Sequence, residues 1–512
     1  MGTPEMNALA NAVRTPAYRM NLAVLLRGYA HPTRDVEIRD LTQDSRAVTP
    51  GAAFLACQGR RGHGLAHAAQ AVERGAVAVL WEPVPGLEPP ALPAHVAVVG
   101  VPELSQHLGG IADRFFHEPS AVVRVAGITG TNGKTTTGFL LAQASELVGR
   151  RSSYLGTLGF GRAFELREAG LTTPDAINVH RRIAQSRDDR AVTMAIEVSS
   201  HALDQARVNG VRFDTAVYTN LTRDHLDYHG TEQAYAAAKA RLFATPGLLR
   251  AVVNAGDAFG RELLASLADR DVETIVYTTS NELFAQNVAG WLRLSELKTT
   301  AAGLTLHVES SWGAGTLRSK LIGEFNAENL LAALGVLLGW RVPLQQALVA
   351  LGACVAPPGR MEAFGGGVRP LVLVDYAHSP DALAKVLEAA RAHARGRLLC
   401  VFGCGGDRDP GKRPQMGAIA EAADVVIITN DNPRSEDPLA IVAQIRAGMR
   451  DPERAQVMTD REAAIREALL LAEPGDVVVV AGKGHENYQL IGDEVRPFSD
   501  AQVVSDALRT AP

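Results

Sequence analysis

The sequence predicts an α/β protein of three domains, and three observations carry that prediction. Short β-branched runs alternate with Ala- and Leu-rich stretches along nearly the whole chain, the pattern of a mostly parallel sheet covered on both faces. Glycine is frequent, 48 residues in 512, and many of these glycines stand where a strand-like run ends. Open α/β sheets hold ligands beyond the carboxyl ends of their strands. The length also exceeds what one core serves; at roughly 100–200 residues per domain it implies two to four.

Residues 1–120 contain the runs AAFLACQG, AVAVLWEP and HVAVVGV and a Pro-rich turn at 83–93, and form a small α/β domain. The segment AVVRVAGITGTNGKTTTGFLLAQASELVGR (121–150) is a buried strand, a Gly-rich turn and a helix, and opens a central domain over 121–357. AVTMAIEVSS, TAVYTNL and AVVNAG continue a β-α alternation expected to last to LIGEFNAENLLAALGVLLG and to stop at the Pro-Pro-Gly of VAPPGRME. The third domain, 358–512, carries the strands LVLVDYAH, RLLCVFGCGG, DVVIITNDNP and DVVVVAGKGH, which run out into Gly, Asp, Asn or His.

Composition excludes more than it assigns. With 51 basic and 56 acidic residues the net charge is −5, which argues against a nucleic-acid backbone or an anionic membrane as the main partner. Four cysteines (Cys57, Cys354, Cys400, Cys404) are too few and too scattered for a disulfide framework or paired zinc ligands. The first 20 residues lack the apolar core of a signal peptide, and no run approaches the ~20 apolar residues that span a bilayer. A cytoplasmic protein is expected.

The strongest local signal is Gly130-Thr131-Asn132-Gly133-Lys134-Thr135-Thr136, between a strand and a helix. Glycines let backbone N–H groups curl round phosphate oxygens, the helix N-terminus adds positive potential, a lysine meets the terminal phosphates and a hydroxyl ligates magnesium. The general G-x-x-x-x-G-K spacing is not met, because Ile128 stands five positions before Gly133; the loop is a variant. Gly406 to Lys412 does meet that spacing, but Arg413 follows where the hydroxyl belongs and aspartates in the turn repel phosphate. This second loop is expected to present Arg408 to a carboxylate instead.

Glu197 ends the run AVTMAIE, where a carboxylate can hold magnesium directly or through water. His225 and His229 have the His-x-x-x-His spacing that on a helix suits zinc. The glutamate of the zinc-protease motif and a third ligand are missing, so hydrogen-bonding histidines or a magnesium-site histidine fit better. Lys239, in EQAYAAAKARLF, reads on physical grounds alone as a solvent-facing lysine. Asp431-Asn432-Pro433-Arg434 and Gly482-Lys483-Gly484-His485-Glu486 each follow a strand. Arg408, Arg434 and Glu486 converging at strand ends would suit an amino acid, which bears both carboxylate and ammonium.

Taken together, TGTNGKTT, EVSSHALDQARV, TNLTRDHLDYHGT, GEFNAENLLAA, PGRME, VDYAHSPDAL, FGCGGDRDPGKRP, DNPRSEDP and AGKGHENYQ resemble the Mur ligase family. The resemblance implies an N-terminal UDP-substrate-binding domain, a central P-loop ATPase and a C-terminal Rossmann-like domain that receives an amino acid. It also implies the reaction, an ADP-forming ligation in peptidoglycan precursor synthesis, and hence in cell-wall biogenesis, cell shape and division. ATP would phosphorylate the D-glutamyl carboxyl of UDP-N-acetylmuramoyl-L-alanyl-D-glutamate, and the amine of meso-2,6-diaminopimelate would displace the phosphate. A monomer, with no nucleic-acid partner, is expected.

Residue by residue, the resemblance implies that Gly130 to Thr136 cradle the triphosphate and that Thr135 and Glu197 serve magnesium. His225 resembles a ligand for a second magnesium, and Lys239 a carbamylated lysine whose added carbon dioxide turns a repelling cation into an anion. Asn326, Arg360 and Asp375 resemble adenine, phosphate and ribose contacts. Gln43, Ser45, Arg60, Arg61 and Gly62 fall where the family holds UDP. Thr172, Thr173, Ser199, Gln205 and Arg207 fall where it holds the muramoyl-dipeptide. Asp431-Asn432-Pro433-Arg434 is the form associated with diaminopimelate, with Arg408, Gly482 and Glu486 beside it. An ammonium-ended lysine would leave a guanidinium unpaired beside a like charge, so L-lysine is the runner-up. A folylpolyglutamate synthase-like ligase would not need the first 120 residues, and a nucleotide-dependent switch would not need the arginine-bearing C-terminal loops.

Overall fold

The computed structural model describes residues 18–59, 62–280, 288–300 and 302–510. They fall into two compact units. The first holds the described part of Met1–Thr129 with Arg150–Ala216 and Arg223–Leu249, and the second holds Gly130–Gly149, Val217–Thr222 and the described part of Arg250–Pro512.

The first unit contains a four-stranded parallel sheet in the order Asp40–Thr42, Ala52–Ala56, Ala78–Trp81, Ala97–Gly100. Its three later strands are almost wholly apolar because both faces are covered. Ala53, Leu55 and Leu80 share a core with Leu104, Leu108 and Ile111 of the helix Leu104–Phe115. Ala52, Phe54 and Val79 pack on the other face against Ala68 and Ala71 of the helix Ala68–Glu73. Further along the chain, Arg124–Thr129 pairs in parallel with Thr193–Glu197, which pairs in parallel with Ser152–Gly156. An antiparallel hairpin of Gly159–Arg162 and Glu165–Arg167 extends that edge. Two side-chain caps fix the helix starts that matter for the site: Ser199 Oγ accepts from Ala202 N at 3.2 Å and Thr231 Oγ1 from Ala234 N at 3.1 Å.

In the second unit Arg250–Asn254, Glu273–Thr278 and Gly290–Thr300 run parallel. The expected β-α alternation then gives way to an antiparallel extension through Gly303–Ser310 and Gly313–Ser319. Its strands do alternate, Leu304, Leu306 and Val308 being buried, the period of two that marks a half-buried strand. The helix Asn326–Gly339 is buried along nearly its whole length. A six-stranded sheet follows, in the order Glu362–Gly365, Leu371–Asp375, Val477–Ala481, Leu398–Phe402, Val425–Ile428, Ala455–Val457. Only its first pair is antiparallel, so five strands deliver their following loops to one edge.

Candidate active site

The Gly-rich turn sits where the sequence places it, between the strand Arg124–Thr129 and the helix Lys134–Leu147. Gly133 has φ +82°, and a Cβ there would lie 2.3 Å from Asn329 Oδ1; a Cβ on Gly130 would lie 1.9 Å from Thr219 Oγ1. Both positions therefore require glycine. Asn220 braces the turn, its backbone O accepting from Thr131 N at 2.8 Å and its Oδ1 from Asn132 N at 2.9 Å. Lys134 arches back so that Nζ donates to the carbonyls of Gly130 and Thr131, both at 2.8 Å. Thr135 and Thr136 begin the helix and are nearly buried. An anion held here meets a helix N-terminus and a lysine together.

The first unit gathers Glu197 with all five residues expected at the muramoyl-dipeptide. Glu197 is buried; Oε1 accepts from the Tyr154 hydroxyl and from Thr157 N at 3.0 Å, and Oε2 from Thr157 Oγ1 at 3.2 Å. Thr157 Oγ1 lies 3.1 Å from Thr172 Oγ1, and Thr173 Oγ1 donates to Glu197 O at 2.7 Å. Ser199 N donates to Thr173 Oγ1 at 3.1 Å, and Arg207 reaches Thr173 O at 2.9 Å and Gln205 Oε1 at 3.0 Å. Gln205 in turn donates to Tyr228, which binds Asp204.

His225 differs from its helical reading. It is the N-cap of a four-residue helix, Leu226–His229, with φ +52°, so it and His229 do not present one face of a helix to a metal. Instead two imidazoles cluster round His201, whose ring centroid lies 4.9 Å from His225 and 5.5 Å from His229. Burial first, then His225, His229 and Arg207, hold His201 below the usual imidazole range, and burial likewise depresses His229. Among the described residues no three His, Cys, Asp or Glu side chains are disposed around a metal position. Lys239 is not solvent-facing: it is 1% exposed, with Nζ 4.3 Å from the Tyr235 ring centroid. The capped helix Glu232–Ala240 buries Tyr235, Ala238 and Lys239 on one stripe.

In the C-terminal sheet, Asp431, Asn432 and Glu486 come together. Asn432 Nδ2 donates to Glu486 Oε2 at 2.9 Å, and Gly482 approaches Asp431 so closely that a Cβ would stand 3.1 Å from Oδ2. Burial pushes the Asp431 carboxyl up. Arg434 adopts φ +51° after buried Pro433 and donates from Nη1 to Gly406 O at 2.7 Å. Arg408 is exposed, and both it and Arg434 flank Gly405. Arg360 stacks on Tyr376 at 4.9 Å and its Nε is buried without a hydrogen-bond partner, a donor suited to an anion. Asp375 accepts from Met361 N and Ala377 N, both at 2.8 Å. Asn326 is spent inside, donating to Ile322 O at 2.7 Å and accepting from Asn329 at 2.8 Å.

Gln43 and Ser45 line a cleft of about 940 Å³ with Gln70, Asn178 and Arg181. Ser45 Oγ donates to Gln70 Oε1 at 2.7 Å. Gly62 accepts at its carbonyl from Gly59 N at 2.9 Å; Arg60 and Arg61 lie outside the described residues.

Three family models cover this order of parts: the Mur ligase family catalytic domain over residues 37–116, the Mur ligase middle domain over 128–337 and the Mur ligase glutamate ligase domain over 359–484. The chain belongs to the Mur ligase family. A UDP-N-acetylmuramoyl-L-alanyl-D-glutamate–2,6-diaminopimelate ligase from Ectopseudomonas mendocina (strain ymp) is 50% identical over 477 residues, covering 92% of this chain and 95% of that one. A solved structure of a UDP-N-acetylmuramoyl-L-alanyl-D-glutamate–2,6-diaminopimelate ligase is 36% identical with a TM-score of 0.69, covering 92% and 95% of the two chains. A Mycobacterium tuberculosis folylpolyglutamate synthase complexed with ADP, 20% identical with a TM-score of 0.58, covers 74% of this chain and 92% of its own, and shows the shared fold alone.

Within this Mur ligase the sequence did not single out the buried cations behind the C-terminal loops. Arg413, noted only as the residue that spoils a second phosphate loop, is fully buried and pairs at 2.8 Å through two nitrogens with Glu436, also reaching Gly405 O at 3.0 Å. Arg461 pairs with Asp500. Lys483 pairs with Glu486. Strand-end position was the available signal for Lys483; nothing local marks Arg461.

Proposed function

We propose that this Mur ligase joins meso-2,6-diaminopimelate to UDP-N-acetylmuramoyl-L-alanyl-D-glutamate with cleavage of ATP to ADP and phosphate. The three-domain division at 1–120, 121–357 and 358–512 belongs to the same reading, with the cleft at Ser45 and Gln43 taking the uridine end. The carrying observation is the union of Asp431-Asn432-Pro433-Arg434 with Glu486 at the strand ends of the C-terminal sheet. An acid, an amide and a guanidinium there match the ammonium and carboxylate groups of a diamino diacid.

The γ-phosphoryl group passes to the D-glutamyl carboxylate, breaking its bond to the β-phosphate bridging oxygen and forming an acyl phosphate. The amine nitrogen then attacks the carbonyl carbon, phosphate leaves with its C–O bond, and the ammonium proton is lost. Lys134 draws the charge of the transferring group toward the turn, and Arg360 offers its unpartnered Nε to phosphate. The Thr173, Ser199 and Arg207 cluster holds the dipeptide so that the acyl carbon is fixed. Magnesium would be held by Thr135 and Glu197, with His225 and a carbamate on Lys239 serving a second ion, and would neutralise phosphate charge.

Phosphate release measured with ATP and the UDP-muramoyl-dipeptide tests the reading: meso-diaminopimelate should stimulate it strongly and L-lysine scarcely. Equal stimulation by the two would sink the specificity.

A further inference from the structure

Lys483 is completely buried, which is costly for an ammonium unless it is paired and hydrogen-bonded. Its Nζ donates to Glu486 Oε2 at 3.0 Å and to Asn432 Oδ1 at 3.1 Å, stands 3.8 Å from Asp431 Oδ1, and lies 5.6 Å from the Tyr488 ring centroid. Asn432 is clamped from a second side, its Oδ1 also accepting from Leu490 N at 3.0 Å. Asn432 then donates its own Nδ2 to the same Glu486 Oε2. Two donors thus converge on one carboxylate oxygen, and Oε1 takes none from the described residues. The Glu486 side chain is 20% exposed while that of Lys483 is 0% exposed, so the lysine stands behind and the carboxylate in front.

We propose that Lys483 is a positioning residue for the incoming amino acid: it fixes Glu486 and Asn432 as one rigid unit whose remaining carboxylate oxygen receives an ammonium group. This rests on the amino-acid-binding reading above. A scaffold role alone would not require the cation to bond the two side chains that face the ligand, since an apolar residue of similar volume fills a core as well. A carboxylate held by two donors loses no rotamer freedom when substrate arrives, so affinity for the amine is gained by pre-organisation.

The test is steady-state kinetics of the full chain carrying Lys483→Met, with meso-diaminopimelate, ATP and the UDP-muramoyl-dipeptide varied in turn. Losing a charged hydrogen bond that orients a ligand should raise KM for diaminopimelate about 10- to 100-fold. KM for the other two substrates should stay within about twofold. Adding Lys483→Met to Glu486→Gln should raise KM for diaminopimelate by no more than about threefold over Glu486→Gln alone, because the two act as a unit. If the methionine variant does not fold, Lys483→Gln, which keeps two N–H donors, carries the test and should show a smaller rise confined to diaminopimelate. Wild-type KM for diaminopimelate in a folded Lys483 variant, an equal rise for all three substrates, or additivity with Glu486→Gln overturns the proposal. Failure of wild-type protein to respond to diaminopimelate at all would instead strike the substrate reading.

Discussion

Replacing Arg461 by methionine should be among the most destabilising single changes in this chain. Arg461 and Asp500 are both fully buried and pair through two bonds, Nε to Oδ1 at 2.7 Å and Nη2 to Oδ2 at 2.8 Å. The guanidinium also donates to Ala481 O at 2.9 Å and Asn430 O at 3.2 Å, the residues immediately before Gly482 and Asp431. Removing one partner leaves an uncompensated charge in the core, which costs about 3–5 kcal/mol. At about 2–4 °C per kcal/mol for cooperative units of 150–250 residues, the transition should fall by roughly 6–20 °C. Arg461→Met and Asp500→Leu should each show this in calorimetry, and the double variant should recover most of the loss, since two apolar side chains then replace the pair. Single-variant shifts under about 2 °C, or a double variant as unstable as the sum of the singles, would refute the reasoning.

Acid stability offers a second check. Its hydrogen bonds to Arg413, and then to Asp407 N, bring Glu436 from its ordinary 4.5 down to about 2. A carboxyl lowered on folding contributes stability that is complete above about 4.5 and is lost as pH falls toward about 2. Glu436→Gln should therefore lower stability at neutral pH and flatten its decline across that acid interval, read by denaturant midpoints against pH; an unchanged acid limb would count against the pairing. For Lys239, alanine should cut turnover by about 10²–10³-fold, the scale for losing one charge-stabilising group, with partial recovery on adding a short carboxylic acid. Undiminished turnover removes Lys239 from the mechanism.

What was legible in the sequence was what is local. The turn Gly130 to Lys134 could be read because glycine torsions, a preceding apolar strand and a following helix lie within about twenty residues. The strand ends carrying Asp431 and Gly482 were legible for the same reason, as continuous apolar runs with polar stops. Lys239 was not, because the three alanines before it give its helix no apolar stripe until Tyr235 is known to be buried. The His-x-x-x-His spacing of His225 and His229 needs both on one helix face, and the helix starts one residue too late for that. The antiparallel extension over 290–319 alternates in hydropathy as plainly as any strand, yet it falls where βα order leads one to expect crossover helices. The pairs Arg413–Glu436, Arg461–Asp500 and Lys483–Asn432 join residues 23, 39 and 51 positions apart, a separation that periodicity does not reach.

Those three cations share a placement that explains why they persist. Each lies in or behind a loop following a parallel strand of the C-terminal sheet, and each bonds the backbone or side chains of a segment at the strand ends. Arg413 ties Gly405 O to Glu436, on either side of Arg434; Arg461 ties Asn430 O and Ala481 O; Lys483 ties Asn432 and Glu486. As stabilising devices they are poor, because apolar residues of equal volume often hold a core as well or better. They do something an apolar core does not: their directional bonds favour the loop arrangement in which every donor finds its acceptor. Arg434, at φ +51° with its guanidinium on Gly406 O, sits in a conformation an L-residue adopts only when its surroundings over-determine it. Three of the 51 basic residues of this weakly acidic chain thus fix loop geometry, and selection for a ligand with two carboxylates and two amines would act on those anchors as strongly as on the residues that touch it.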